Sequence, residues 1–175
     1  MTAEKKEVLM KADHVKVYFK GKTKKSGVVK AVDDVTFEIM KGETFGVVGE
    51  SGCGKSTLGR ALIRLLEPTE GSVYLEGQEI SKLKGEELKR MRKDAQIIFQ
   101  DPSASLNPRR TIKQILMEPF EIHGAETGVN VEERILELLN LVGLDTYHLS
   151  RYPHELFGAH QLAGRRGGGD AAARL

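Results

Sequence analysis

Gly49-Glu50-Ser51-Gly52-Cys53-Gly54-Lys55-Ser56-Thr57 is a complete G-x-x-x-x-G-K-[ST] phosphate-binding loop. Each fixed position has a physical task. Gly49, Gly52 and Gly54 let the backbone curl tightly and approach phosphates with no Cβ in the way. Successive N–H groups turn inward as an anion nest at the positive end of a helix that begins near Lys55. Lys55 is placed to reach the β- and γ-phosphates as a point charge. The Ser56 hydroxyl is the expected ligand of a Mg²⁺ that bridges the same oxygens. Glu50, Ser51, Cys53 and Thr57 complete the nucleotide-contacting set, Cys53 as a small filler between glycines.

The flanks agree with the motif. Glu43-Thr44-Phe45-Gly46-Val47-Val48 predicts a short buried strand running into the loop. Leu58, Ala61, Leu62, Leu65 and Leu66 recur at helical spacing after it. At average residue frequencies a chance match in a chain this long has odds below about one per cent, before any such context is required.

Bulk properties set wider bounds. At 175 residues the chain is sized for one domain or part of a larger one. A hydrophobic content of 39% with 30% charged residues suits a mixed α/β globule. The net charge of +2 is too small to argue for nucleic acid. Lys20, Lys22, Lys24 and Lys25 fall in a Gly-containing stretch and read as a solvated loop. A single cysteine excludes an internal disulfide and fits a reducing compartment. No apolar run approaches the ~18 residues needed to span a bilayer, so no direct membrane insertion is expected.

Along the chain, Val8 to Phe19 alternates as a strand, and Val35-Thr36-Phe37-Glu38-Ile39 reads as a second. Lys41-Gly42 turns the chain toward the loop. Glu67-Pro68-Thr69-Glu70-Gly71 ends the helical pattern, and Ser72-Val73-Tyr74-Leu75 starts another strand. Ser81 to Lys93 is charged and helical in character, and Gln96-Ile97-Ile98-Phe99 reads as a buried strand ending at Gln100. From Thr111 the pattern becomes amphipathic helix, with stripes at Ile112, Ile115, Leu116 and at Val131, Ile135, Leu138, Leu139, Val142, joined by a linker at Gly124 to Asn130. The expected division is 1–110 as nucleotide-binding core, 111–156 as helical subdomain and 157–175 as an aberrant, disordered tail, with the boundary between the first two near Gln100 to Arg110.

Three stretches together resemble one family, the ATP-binding subunits of ABC transporters, and within it the oligopeptide/dipeptide importer type. They are Val29-Lys30-Ala31-Val32-Asp33-Asp34-Val35-Thr36-Phe37; Ile97-Ile98-Phe99-Gln100-Asp101-Pro102-Ser103-Ala104-Ser105-Leu106-Asn107-Pro108-Arg109, which looks like that subfamily's Q-loop; and Arg151-Tyr152-Pro153-His154-Glu155-Leu156, the lead-in to the ABC signature. The resemblance implies a RecA-like P-loop NTPase core with N-terminal antiparallel strands and an α-helical subdomain, incomplete at the C-terminus. It implies ATP and Mg²⁺ as cofactors. Gln100 would touch Mg²⁺ and the attacking water, a task an amide suits because it both donates and accepts. Tyr18 would stack on adenine, with Phe19 as the alternative. The implied partners are a second ATP-binding subunit, two membrane-spanning permease subunits and a solute-binding protein, placing the chain peripherally on the inner face of the cell membrane. A stand-alone P-loop kinase or GTPase would not explain Asp101 to Arg109.

The pattern then fails. The family continues into Ser-Gly-Gly-Gln, whereas this chain has Phe157-Gly158-Ala159-His160-Gln161. Phe157 has no hydroxyl for a γ-phosphate, Ala159 adds a Cβ, and Gln161 is one place late. Gly164, Gly167, Gly168 and Gly169 fall where a helix should follow, each costing roughly 1 kcal/mol against Ala. Of the last twenty residues thirteen are Gly, Ala or Arg, types with GC-rich codons, which suggests a frameshift near the codon for Phe157 or a prematurely ended reading frame, the rival being a genuine, divergent C-terminus. Reading the neighbouring frames for a Ser-Gly-Gly-Gln-like continuation tests that origin. No apolar strand closing in Asp-Glu follows, so no complete catalytic set is expected, and His154 and His160 cannot serve as the family's switch histidine. His14, His123 and His148 read as surface or packing residues. The strand leading into the loop should then have an unpaired apolar edge. The expected function is an ATP-binding importer subunit, here truncated; the alternative is a non-catalytic nucleotide-binding fragment.

Overall fold

In the computed structural model, residues 7–21, 27–101, 105–124 and 129–156 are described. The chain divides into two compact units, Met1–Ile97 and Ile98–Leu175.

The first unit is organised by a four-stranded antiparallel sheet. Its strands are β1 (Val8–Lys20), β2 (Val28–Met40), β3 (Glu70–Leu75) and β4 (Gln78–Glu79), in the order β2-β1-β3-β4. β1 is long because both of its edges are used, by β2 along its whole length and by β3 along its first half. Strict alternation would send Ala12 and Val15 to opposite faces, yet both are buried. The register shift between them resolves this. His14 there takes a φ of 51°, and Asp34 on the facing strand takes 58°. The extra residue reverses the parity, and Val15 and Val17 rejoin Ala12 inside.

Against that face pack two helices, α1 (Lys55–Leu62) and α2 (Gly85–Asp94). Leu58, Ala61 and Leu62 of α1 and Met91 of α2 join Val15, Val17, Val32 and Val73 in one apolar core. Helix α1 is shorter than its apolar spacing predicts. It closes at Leu62 through a Schellman arrangement in which the Leu65 N–H bonds to the Arg60 carbonyl at 2.9 Å and Arg64 adopts a φ of 56°. Leu65 is consequently exposed. β2 begins well before Val35, α2 begins after Ser81, and β4 was not expected from the sequence.

Two predicted strands are not formed. Glu43–Val48 and Gln96–Phe99 carry no ladder, and all their apolar side chains but that of the half-buried Ile97 are exposed, Val48 to 95% and Ile98 to 75%. Their composition suits a doubly covered parallel strand, but among the described residues none pairs with either, and an extended segment without a partner has no ladder bonds to hold it. One anchor survives, the stacking of the Phe45 ring on Phe37 of β2 at 4.8 Å.

The second unit contains α3 (Ile112–His123), α4 (Val131–Leu141) and a 3₁₀ turn (Thr146–Ser150). Thr111 starts α3 with a reciprocal capping box, its Oγ1 accepting from the Gln114 N–H and its own N–H donating to Gln114 Oε1 at 3.0 Å. Ile112, Ile135 and Leu139 form the core, with Ile115, Leu116, Val131 and Leu156 around it. Lys22, Lys24 and Lys25, Pro102 to Ala104, the middle of the predicted linker and the whole of 157–175, with Phe157, Ala159 and Gln161, lie outside the described residues.

Candidate functional site

The phosphate loop is closed by its own lysine. Lys55 Nζ donates to the Gly49 carbonyl at 2.8 Å and to the Glu50 carbonyl at 2.6 Å, and meets Cys53 Sγ at 3.6 Å. The ammonium thus gathers the two ends of the loop around one charge. The Cys53 N–H returns to the Glu50 carbonyl at 3.3 Å.

Two glycines are required by space. A Cβ on Gly49 would stand 2.8 Å from Cys53 Sγ. On Gly54 it would stand 2.0 Å from the Ala31 carbonyl oxygen, and Gly54 also has a φ of 98° that L side chains rarely adopt. Gly54 therefore serves as N-cap of α1 with no capping side chain, and no acidic residue occupies the helix's first turn. A helix start left open in this way, beside an ammonium, presents positive potential and backbone donors to an anion. Ser56 is exposed in that first turn and Thr57 is half-buried. Glu50, Ser51, Gly52 and Cys53 are exposed along the loop. The cradle, the lysine and the hydroxyl fit a polyphosphate with its cation.

Tyr18 lies on β1 in the same unit, and its side chain is engaged. Its hydroxyl donates to Asp33 Oδ1, and Lys30 Nζ donates to Asp33 Oδ2 at 3.1 Å while lying 5.1 Å from the Tyr18 ring centroid. The Tyr18 hydroxyl, then the Lys30 ammonium, hold the Asp33 carboxyl below the usual carboxylate range. The same bond to Asp33 pushes the Tyr18 phenol up. The Tyr18 N–H donates to Thr69 Oγ1 at 2.9 Å. Phe19, by contrast, is exposed.

Sequence reasoning missed Asp33 and Lys30 as partners of Tyr18, and Ala31 as the seat of Gly54. The signal was the short spacing of Lys30, Ala31 and Asp33 on the strand that faces Tyr18, which served only as a marker of resemblance. Gln100 belongs to the second unit, exposed in a bend. The signature lead-in is ordered there: the Tyr152 N–H donates to Glu155 Oε2 at 2.8 Å and Arg151 to Glu155 Oε1 at 2.7 Å. The backbone N–H first and Arg151 second hold Glu155 below the usual range.

A glycine-rich phosphate loop opening a helix, in a chain that continues into this helical unit, defines a nucleotide-binding cassette. The family model for ABC transporter matches residues 32–163, and the chain belongs to that family. Its fold is similar to that of the dimeric ATP-binding cassette MJ0796 in a post-hydrolysis state bound to ADP and Pi, with a TM-score of 0.67 and 28% identity, covering 83% of this chain and 62% of that one. The chain is 49% identical over 166 residues to the oligopeptide transport ATP-binding protein AppF of Bacillus subtilis (strain 168), covering 92% of this chain and 50% of AppF. It is 47% identical over 157 residues to OppF of the same organism, covering 89% and 50%. To the dipeptide transport ATP-binding protein DppF of Lactococcus lactis subsp. cremoris (strain MG1363) it is 48% identical over 140 residues, covering 78% and 45%. The chain spans about half the length of the curated relatives it matches. No helix among the described residues is long and apolar enough to cross a membrane.

Proposed function

We propose that the chain binds ATP with Mg²⁺ at Gly49–Thr57 and belongs to the ATP-binding subunit of an importer of the oligopeptide/dipeptide type. The observation that carries this is the loop itself, with its open helix start, its space-limited glycines and Lys55 at its mouth.

Lys55 would exchange its weakest contact, the 3.6 Å approach to Cys53, for a phosphate oxygen and keep its two carbonyl bonds as a fixed hinge. The loop N–H groups would take the remaining phosphate oxygens. Ser56 would hold Mg²⁺. Bound Mg²⁺ supplies charge neutralisation between the β- and γ-phosphates. For the base, the exposed Phe19 ring is the freer of the two aromatics, because Tyr18 is tied through Asp33 and Lys30. The names of the relatives support peptides as the cargo class; two permease subunits, a second ATP-binding subunit and a solute-binding protein are the partners that the family resemblance would imply. Attachment to the inner face of the membrane would then run through the permeases.

ATP affinity and phosphate release, measured beside Lys55→Ala, test the reading. Binding by the parent chain, weakened by about a hundred-fold in Lys55→Ala, supports it. No binding by the parent chain, or binding indifferent to Lys55, overturns it. Phosphate release that depends on Lys55 would show that another residue acts as base.

A further inference from the structure

The last of the four register shifts between β1 and β2 falls at Val17/Tyr18, beside the phosphate loop. Val17 pairs with Val32, but the next residue, Tyr18, pairs with Lys30, so Ala31 is left over as a bulge. That residue is where Gly54 comes to rest: a Cβ on Gly54 would stand 2.0 Å from the Ala31 oxygen and 3.9 Å from Val32 Cγ2. A bulge re-aims the main chain, and an unpaired residue can slip along the ladder unless its neighbours are held. Here they are held by Tyr18. Its hydroxyl bonds to Asp33 on one side of the bulge. Lys30, on the other side, lies over its ring and bonds to the same carboxylate at 3.1 Å. Tyr18 is itself fixed from behind by Thr69, at 2.9 Å.

We propose that Tyr18 is a positioning residue for the phosphate loop: through Asp33 and Lys30 it locks the Ala31 bulge on which Gly54 is seated. Its hydroxyl thereby sets affinity for the polyphosphate of the ligand and not for the base. This rests on the reading above that the loop holds a nucleotide. It differs from a stacking role for Tyr18 in one respect that can be measured. A stacking ring acts only on ligands that have a base, whereas a seat for Gly54 acts on any polyphosphate.

The test is titration of the purified full chain with ATP and with inorganic tripolyphosphate, each with Mg²⁺. Tyr18→Phe keeps the ring and removes the hydroxyl. It should raise both dissociation constants by the same factor, about ten-fold, the lower end of what one hydrogen bond to a charged group is worth. Asp33→Ala should do the same, and the double variant should be no weaker than the worse single one, because both break one unit. Asp33→Asn keeps one acceptor oxygen for Tyr18 but turns an N–H donor toward Lys30, so it breaks the Lys30 arm and should share the loss of Lys30→Met. Val73→Ala, which loosens the core from β3, controls for stability: it should lower the thermal midpoint without moving either affinity. If Tyr18→Phe fails to fold, Lys30→Met breaks the other arm and should give the same paired loss. Tyr18→Phe matching the parent, or weakening ATP alone, overturns the proposal. So does a Val73→Ala loss of affinity equal to that of Tyr18→Phe. Parent chain that binds neither ligand overturns the nucleotide reading, and this proposal with it. Where Lys55→Ala abolishes parent binding and Tyr18→Phe leaves it intact, the nucleotide reading stands and the positioning role alone falls.

Discussion

The β1–β2–β3 ribbon and the Glu43–Val48 segment have similar apolar content and opposite fates. In the ribbon Ala12, Val15, Val17 and Val73 are fully or almost fully buried, whereas Phe45, Val47 and Val48 are 42%, 45% and 95% exposed. The difference is pairing. Each ribbon strand has an antiparallel neighbour reached by local or moderately distant chain, and the helices α1 and α2 cover its inner face. Glu43–Val48 has one ring contact, Phe45 on Phe37, and no ladder among the described residues. A hydrophobic run therefore encodes the need for partners on both edges; it does not provide them.

The largest test of this contrast uses glycines. Gly71 sits where β3 enters the ribbon, at a φ of 84°, and a Cβ there would meet the His14 oxygen at 2.2 Å and the Asp13 oxygen at 2.7 Å. Both obstacles are backbone and cannot swing away. Gly71→Ala should cost about 2–4 kcal/mol and lower the thermal midpoint strongly. Gly46, in the unpaired segment, has nothing within 4 Å of the point where a Cβ would stand and no positive φ, so Gly46→Ala should leave the midpoint unchanged. Equal losses at the two sites, read by thermal denaturation, would erase the distinction.

Shortening a side chain in the ribbon core comes next. Val15 has no exposed surface, and Val15→Ala should cost about 1–3 kcal/mol through lost transfer energy and the cavity left behind. Chemical denaturation with the same m-value as the parent would show that the loss is in the folded ribbon. A cost under about 0.5 kcal/mol would mean that the ribbon core is no tighter than the unpaired segment.

What the sequence made legible divides along the same line. The phosphate loop, β1, β3 and the two helical stripes were readable because local chemistry fixes them: glycine placement, alternation and 3.6-residue spacing act over a few neighbours. Family resemblance added the cassette as a whole, and the ABC transporter match over residues 32–163 agrees with it. The bulges at His14 and Ala31 were not readable, because each depends on what the facing strand does. The Tyr18–Asp33–Lys30 cluster follows from those bulges and was hidden with them. The predicted strands at Glu43–Val48 and Gln96–Phe99 failed for the converse reason, since their apolar composition was read without a partner in hand.

A smaller effect concerns the polar edge of the ribbon. Glu79 on β4 accepts from Ser72 Oγ at 2.8 Å and Ser81 Oγ at 2.9 Å, with Lys82 Nζ 2.9 Å away. The Lys82 bond first, then the two serines, hold its carboxyl below the usual glutamate range in the folded chain. A folded value below the unfolded one stabilises at neutral pH, and that contribution is lost as pH falls from the ordinary glutamate range through the depressed folded value. Thermal midpoints taken from about pH 7 down to about pH 3 should therefore fall less steeply in Glu79→Gln than in the parent. Superimposable acid limbs would remove Glu79 from the account of what holds β3 to β4.

The smallest expected change in stability is also the sharpest statement about the unpaired segment. Val48 is 95% exposed, so Val48→Lys removes almost no buried surface and should shift folding stability by no more than about 0.5 kcal/mol. Its effect should instead fall on association. An extended apolar segment without a ladder partner offers unpaired N–H and C=O groups to a second chain, and a lysine there opposes docking by its charge and hydration. Light scattering on concentrated protein should show less aggregate for Val48→Lys than for the parent, with both melting at the same temperature. A loss of stability as large as that of Val15→Ala would mean that Glu43–Val48 is packed in solution, and the contrast with the ribbon would collapse. Unchanged aggregation at unchanged stability would place the adhesive surface elsewhere, with the exposed Ile98 the next position to charge.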